Sequence, residues 1–587
     1  MYTLGGSAVA SLQPKKSGKQ KYWQIVESRR INGKPRPVVL AHLGTADTLL
    51  QKLQGLAAAA KVKSYSHGAV AALLNVAQQL QIPEIINKHV ASARPYTSNK
   101  PLRNGLTVGM TLLLGAIGKV CVPTSKRGWW AWAKTTSLEY LLRCALSKVD
   151  SQHFWDLMDA LPIEAIESIE KEVLERVKQA YAIEAETLYY DTTNFFTFIA
   201  TTNERCTVAQ RGKNKQQRAD LRQVGLALVV TPVDYVPVFH LAYQGNRHDS
   251  KVFREVLAAI KGRLQALGMD LAEHTLVFDR GNNSKKNLAW VAQAKMHYVG
   301  ALTPYHHKHL VAEAQSRFEP VRVGGRELDV YRTRRLIWGE ERTVLVFVSD
   351  RLKAGQLRGA YRSIENKEEQ LRKLQHDLLK PAPKTVDKAK LQAELKTIAK
   401  GQFIQGIIQW SLNDDADERP RLDFHIDQDK LAALEDELGY RILMTDRHAW
   451  SSDRIIEAFH GQAFVEQAFK NIKNPYHLTL KPQFHWTDQK IRVHYFMCVL
   501  GYLMSTLLWK RAREHAGYRG TLDNLLDSLN AIRLAALIQA PEGRGKPRVT
   551  YQLEDMDASE AALVQALGIT ELHTHRPKIK GIGVYTN

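Results

Sequence analysis

Past residue 180 the hydrophobic pattern gives up a helical period for short apolar runs, and two of those runs close on an aspartate. ETLYYD carries Asp191, and HTLVFD carries Asp279; QVGLALVVTP, VPVFHLAYQG and the helix-like KVFREVLAAIKGRLQAL lie between them. Such β-branched and aromatic runs, bounded by Gly, Pro or Asp, read as strands. The order strand, strand, strand, helix, strand calls for an α/β fold with a mixed sheet. A carboxylate at the carboxyl end of an apolar strand stands where open α/β sheets collect their ligands, because loops leave the scaffold there. One such Asp caps a turn as readily. Two on neighbouring strands repel each other unless a cation or a proton lies between them.

Around this segment the chain falls into regions. Residues 1–46 hold YWQIVESRR and PRPVVLAHLG, two strand-like runs joined at Asn32-Gly33, the turn chemistry of a tight β-hairpin. Residues 47–180 show Leu and Ala at helical spacing from DTLLQKLQGLAAAAKVK onward. Within them, SKRGWWAWAK sets Trp129, Trp130 and Trp132 among basic residues; core packing and stacking on nucleic acid both fit. After the first core segment, 181–315, a β-rich insertion is expected over 316–434. Its charged stretch, Ala354–Lys400, reads as a solvated helical hairpin. GYRILMTD and one long helix, Ser452–Lys473, open the second core segment, 435–530, and 531–587 form a C-terminal region.

That helix offers a third acid. At about 100° per residue, Phe459, Gln462, Glu466, Lys470 and Lys473 fall on one stripe, and Glu457 lies opposite. An aromatic, an amide, a carboxylate and two lysines suit a phosphodiester held beside a metal. Seen alone, Glu466 and Lys470 are equally an ordinary i, i+4 ion pair. Oxygen-only ligands favour Mg²⁺ or Mn²⁺ over zinc, and two such ions support in-line phosphoryl displacement. Asp446, closing GYRILMTD, is a reserve third ligand.

Composition points the same way. With 82 Lys+Arg against 60 Asp+Glu, the net charge is +22, which favours a polyanion such as DNA. A membrane is the weaker reading: Gly105–Gly118 stops at Lys119, and Tyr495–Trp509 lies between Arg492 and Lys510, both short of the roughly 20 apolar residues of a span. Cys121, Cys144, Cys206 and Cys498 form no CxxC pair, so a reduced cytoplasmic setting, on the nucleoid, is expected.

The segments YYDTTNFF, RADLRQVGLALVV with YQGNRHDS, VFDRGNNSKKN, and FHGQAFVEQAFKNIK followed by KPQFHW and RVHYF resemble the bacterial insertion-sequence DDE transposases, most like the IS sixteen-thirty-four group of the IS-four superfamily. The resemblance covers roughly Tyr22–Tyr502. The superfamily's motif Tyr-x2-Arg-x3-Glu-x6-Lys is matched by Phe459-x2-Gln462-x3-Glu466-x6-Lys473, with the Tyr and Arg replaced. The resemblance implies a ribonuclease-H-like core interrupted by the β-rich insertion, with a mainly helical N-terminal region for DNA-end binding and dimerisation. It implies that Asp191, Asp279 and Glu466 are the catalytic, metal-binding triad for cleavage and strand transfer at terminal inverted repeats. A guanidinium lost at Gln462 removes a bidentate phosphate clamp.

Lys473, Lys470, Gln462, Phe459, Arg280, Asn283 and Arg492 are the candidate DNA contacts, with His494 and the basic run Arg211–Gln223 as lesser ones; Asn194 orients the acids or contacts DNA, and His248 with Asp249 is read as support of the sheet. Turn formation accounts for the asparagines better than function does, and helix termination accounts equally for Arg492 and His494. Pairing two element ends requires at least a dimer, so a homodimer on DNA is expected. A metal-dependent nuclease that cuts without joining, and an inactive DNA-binding descendant, are the alternative functions.

Overall fold

The computed structural model describes residues 10–17, 20–31, 34–50, 60–93, 102–214, 216–380, 387–401, 404–414, 420–481, 483–539 and 547–580. The chain divides into two compact units, one of Met1–Ala160, Tyr476–Leu478 and Leu507–Asn587, the other of Leu161–Pro475 and Thr479–Thr506. In the first unit, β1 (Ala10–Ser17), β2 (Gln20–Ile31) and β3 (Lys34–Thr45) form a three-stranded antiparallel sheet, so the expected hairpin carries an extra strand. Its Asn32-Gly33 turn lies outside the described residues. Next come β4 (Ala60–Ser66), the short pair β5 (Leu102–Arg103) and β6 (Leu106–Thr107), and a set of helices. The Val108–Cys121 helix is buried on every side, Thr111 and Lys119 included, as a predominantly apolar helix must be. Trp129 donates to the Leu114 carbonyl at 3.0 Å and meets Phe154 edge-on at 5.4 Å, which makes this tryptophan a core residue. The helical region expected over 47–180 is divided between the units, because the Ala165–Ala180 helix belongs to the second unit.

The second unit is built on nine strands: β7 (Thr187–Thr197), β8 (Arg222–Val230), β9 (Pro237–Gln244), β10 (Thr275–Phe278), β11 (His297–Leu302), β12 (Glu319–Val323), β13 (Arg326–Ile337), β14 (Glu340–Val348) and, after a break, β17 (Tyr440–Thr445). Their order is β12-β13-β14-β17-β11-β10-β7-β8-β9. β10 runs parallel to both β7 and β11, and the other neighbours are antiparallel. Both faces are covered. Leu188 and Tyr190 face a core containing Phe253 and Phe278, while Tyr189, on the opposite face, meets Phe464 at 5.3 Å.

The expected 316–434 insertion is thereby corrected. β12–β14 continue the main sheet, because β14 pairs with β17 from Thr343↔Thr445 to Val348↔Tyr440. Only the part after β14 stands apart: helices Asp350–Leu379 and Lys388–Ile398, the strand pair β15 (Ile408–Asp414) and β16 (Pro420–Ile426), and helix Gln428–Glu437. The charged helices are not merely solvated, since Ile364, Leu371, Leu391 and Leu395 form a buried seam with Leu422.

The helix Asp488–Ala516 is 29 residues long, and 94% of its most apolar window is buried, so it is a core element even though its length alone suffices for a span. β18 (Arg533–Gln539) and β19 (Arg548–Leu553) return to the first unit, where β18 pairs with β4 from Arg533↔Ser66 to Gln539↔Ala60. AKVK, read above as helix, is therefore strand: a seven-pair ladder outweighs the few tenths of a kcal/mol per residue of Ala and Lys propensity. All four cysteines are buried, and none is in a disulfide.

Candidate active site

β7 and β10 pair in parallel register, Val277↔Tyr189 and Phe278↔Tyr190. The next residues along the two chains are Asp279 and Asp191, so the two acids stand at one level on neighbouring backbones spaced about 4.8 Å apart across the ladder. They differ in setting. Asp279 follows the last residue of β10, and its carboxylate accepts from the Arg280 amide at 2.6 Å, capping the 3-10 turn Arg280–Asn282. Asp191 does not end its strand: β7 continues to Thr197 because β8 pairs with it throughout, Asp191 facing Leu228. It is half-buried, and Asp279 is exposed.

The stretch expected as one helix is two, Ser452–His460 and Gln462–Lys473, meeting at Gly461. The cause is the approach to β7, since a Cβ on Gly461 would lie 2.1 Å from the Tyr189 hydroxyl. The second helix runs along β7. It places Phe464 against Tyr189 at one end, and at the other Lys473 donates to Thr193 and lies over the Phe195 ring at 5.5 Å. Tyr189, Asp191 and Thr193 alternate onto one face of the strand, so Asp191 lies between the two anchor points. Glu466, seven residues before Lys473, is only about 20° around the helix from it and exposed. Glu457 belongs to the other helix and accepts from the Gly324 amide at 3.3 Å.

Asp446 is removed from consideration by topology. β17 is antiparallel to β11, so its end lies beside the start of that strand, and the Asp446 carboxylate takes His297 at 3.0 Å and the Tyr298 amide at 3.1 Å. Asp279 stands at the opposite end of the parallel pair. Among the described residues no group of three or more His, Cys, Asp or Glu is close enough to hold a metal ion. The donor chemistry of Asp191 and Asp279 is carboxylate oxygen, which fits a hard divalent cation.

The other candidates are placed unevenly. Phe459 is 6% exposed, under the Arg441 guanidinium at 5.5 Å, so it offers no open face to DNA. Gln462 is half-buried, and Lys470 and Arg280 are exposed. Asn283 donates to the Asp279 carbonyl at 3.4 Å, and its side-chain oxygen fills the space over Gly300, where a Cβ would lie 2.2 Å away. It shapes the loop. Asn194 pairs with Gly225 in the sheet. Arg492 donates to the Ala242 carbonyl at 2.7 Å, and His494 is fully buried against the Leu480 carbonyl, so both serve packing. In the basic run, Arg218 is paired with Asp220, and Arg222 holds the carbonyls of Thr201, Asn203 and Cys206. His248 is exposed, and Asp249 begins the helix Asp249–Ala266. Arg441 escaped the sequence reading, for a lone arginine in an apolar strand carries no motif. It lines, with Asp279, Arg280, Tyr305, Lys308 and Phe459, a cleft of about 1110 Å³.

Two family models match the chain. Residues 12–67 match the N-terminal domain of IS1634 family transposases, and residues 197–482 match the transposase DDE domain. The second match begins just beyond Asp191 and contains Asp279 and Glu466. No curated protein matches the chain significantly. A solved piggyBac transposase synaptic complex with hairpin DNA aligns at a TM-score of 0.36 and 8% identity, over 78% of this chain and 79% of that one. DDE transposases generally depend on divalent metal ions, and DNA is their partner. The chain is an insertion-sequence DDE transposase of the IS1634 family.

Proposed function

We propose that Asp191, Asp279 and Glu466 are the catalytic triad with which this transposase cuts the terminal inverted repeats of its element and joins the freed ends to target DNA. The observation that carries this reading is the parallel register of β7 and β10, which sets two carboxylates side by side beneath a helix bearing the third acid. The nine-stranded sheet is read as a ribonuclease-H-like core, interrupted after β14 by the helical and two-stranded insertion. Two Mg²⁺ or Mn²⁺ ions fit the all-oxygen donors, with Asp191 and Asp279 as the central ligands and Glu466 completing the set. When bound, the ions supply Lewis-acid stabilisation of the attacking and leaving oxygens in an in-line displacement. Water attacks phosphorus, the bond to the 3′ oxygen breaks, and the 3′ hydroxyl so released later attacks a target phosphodiester, displacing the target's own 3′ oxygen.

Lys473, held at Thr193 beside Asp191, and Lys470, one helical turn away, neutralise phosphate oxygens of the bound strand. Arg280, next to Asp279, does the same. The N-terminal sheet and the helices up to residue 180 bind and pair the element ends, which calls for a homodimer on DNA, on the bacterial nucleoid. The test is to mix the full chain with DNA carrying its flanking inverted repeats and Mg²⁺, comparing wild type with Asp191→Asn and Asp279→Asn. Wild type is expected to cut and join. Both variants are expected to bind with the wild-type salt dependence and leave the DNA intact. A variant that still cuts removes its residue from the triad, and wild-type cutting without joining shows a nuclease.

A further inference from the structure

We propose that Arg441, stacked on Phe459 in the cleft that Asp279 and Arg280 also line, is the phosphate-binding guanidinium of this active site, in place of the arginine that the chain lacks at Gln462. The inference rests on Asp279 being catalytic. It begins from a deficit: where the resembling motif has arginine one turn before its acid, this helix has Gln462, an amide without charge. A site that cuts a phosphodiester needs positive charge close to the scissile strand, and a planar guanidinium holds two phosphate oxygens at once.

β17 delivers that group from another element. Arg441 is the second residue of β17, paired with Phe347 of β14. Its guanidinium lies 5.5 Å from the Phe459 ring centroid. A cation held over an aromatic ring is attracted by the ring's π face without using the hydrogen-bonding capacity of its five N–H donors. Among the described residues those donors make no hydrogen bond and no ion pair. The same stacking explains why Phe459 is buried: the aromatic at this motif position supports a cation rather than meeting DNA itself.

The surroundings favour an anion. Arg441 is half-buried, which with the charge of Arg280 holds its pKa below the usual arginine value, against the opposing pull of Asp279. Two guanidiniums and one carboxylate among the residues lining this cleft of about 1110 Å³ leave a surplus positive charge there. A phosphate bridging Arg441 and Arg280 relieves their mutual repulsion and lies next to Asp279.

The test uses the full chain and an end-labelled duplex carrying one flanking terminal repeat. Binding is measured against salt in EDTA, and single-turnover cleavage in Mg²⁺. Arg441→Gln is expected to lower the slope of log K against log salt by about 1, the signature of one lost phosphate contact, and to slow cleavage by one to two orders of magnitude. Arg441→Lys keeps the charge and is expected to keep the slope, while cutting more slowly for want of the two-oxygen grip. A wild-type salt slope in Arg441→Gln overturns the proposal whatever the cleavage rate, because a merely structural arginine leaves the slope untouched. If Arg441→Gln fails to fold, a slow-cutting Arg441→Lys with an intact melting transition supports the proposal, and one that cuts at the wild-type rate overturns it. Cutting by Asp279→Asn is a separate failure, of the triad reading, and the salt slope still decides whether Arg441 touches DNA.

Discussion

Gly461→Ala sets two effects of opposite sign against each other. The backbone at Gly461, φ −62 and ψ −8, accommodates alanine, and removing a glycine from a helical stretch contributes about 0.5–1 kcal/mol of stability. Against this, the new Cβ falls 2.1 Å from the Tyr189 hydroxyl and 2.5 Å from Cζ, where ordinary contact starts at 3.4 Å. Tyr189 has no easy retreat: it is 3% exposed, on a central strand, with its ring against Phe464. Relief of the hydroxyl contact requires 3.4 − 2.1 = 1.3 Å of movement between the helix and β7. Overpacking of this kind costs about 1–3 kcal/mol, so the clash wins and the variant melts a few degrees lower. The larger consequence is catalytic. The displaced helix carries Glu466, and roughly 1 Å of misplacement costs on the order of 100-fold in rate. Adding Tyr189→Phe shortens the required movement to 3.4 − 2.5 = 0.9 Å and is expected to recover part of both losses. Melting of the full chain and single-turnover cleavage of a terminal-repeat duplex measure the two effects. A Gly461→Ala protein with wild-type melting and wild-type cutting would falsify both the helix packing and the place given to Glu466.

Glu466→Gln is expected to abolish cleavage with end binding intact, while Glu457→Gln cuts normally; the reverse pattern removes Glu466 from the site. Arg263→Met leaves Glu170, whose side chain is 12% exposed, with His240 as its remaining side-chain partner, at a cost of roughly 3–5 kcal/mol; Arg263→Met with Glu170→Gln is expected to recover most of the lost melting temperature. His67 and His153 each have a pKa lowered from 6.5 to about 4, first by burial and then by the positive charges of His573 and Arg103 respectively. Both stay neutral in the folded chain but take up a proton on unfolding below pH 6.5, so their contribution is complete above pH 6.5. It falls between pH 6.5 and 4 at about 1.4 kcal/mol per pH unit for each. Melting curves from pH 7 to pH 5 check this, and His67→Asn is expected to flatten the dependence.

The strand acids were legible because β10 ends where its apolar run ends. The place of Asp191 within a longer strand was not, since polar residues 191–194 look like a loop until β8 is seen to pair with them. The acids' shared level depends on a parallel register set by residues far apart in sequence, which period alone does not encode. The helix over β7 showed its acidic and basic stripe, yet its break was hidden: periodicity runs through Gly461, and only the neighbouring tyrosine reveals why a glycine stands there. β12–β14 have the alternation of any antiparallel strands, so nothing local told that they extend the main sheet. AKVK misled because Ala and Lys favour helix, and the strand that overrides them, β18, begins at Arg533.

That pairing has a consequence for the order of events during synthesis. β4 leaves the ribosome early, whereas β18 cannot reach it until some 470 further residues have been added. At about 5–20 residues per second, β4 waits roughly 25–95 s with an unsatisfied backbone edge. The second unit contains the candidate acids, and all of its segments are translated before β18. All segments of the second unit, the candidate acids included, are therefore made before the sheet of the first unit can close, and in that interval the edge of β4 that later meets β18 is open to pairing with another strand. Lys61 and Lys63, charged residues on that strand, oppose such pairing.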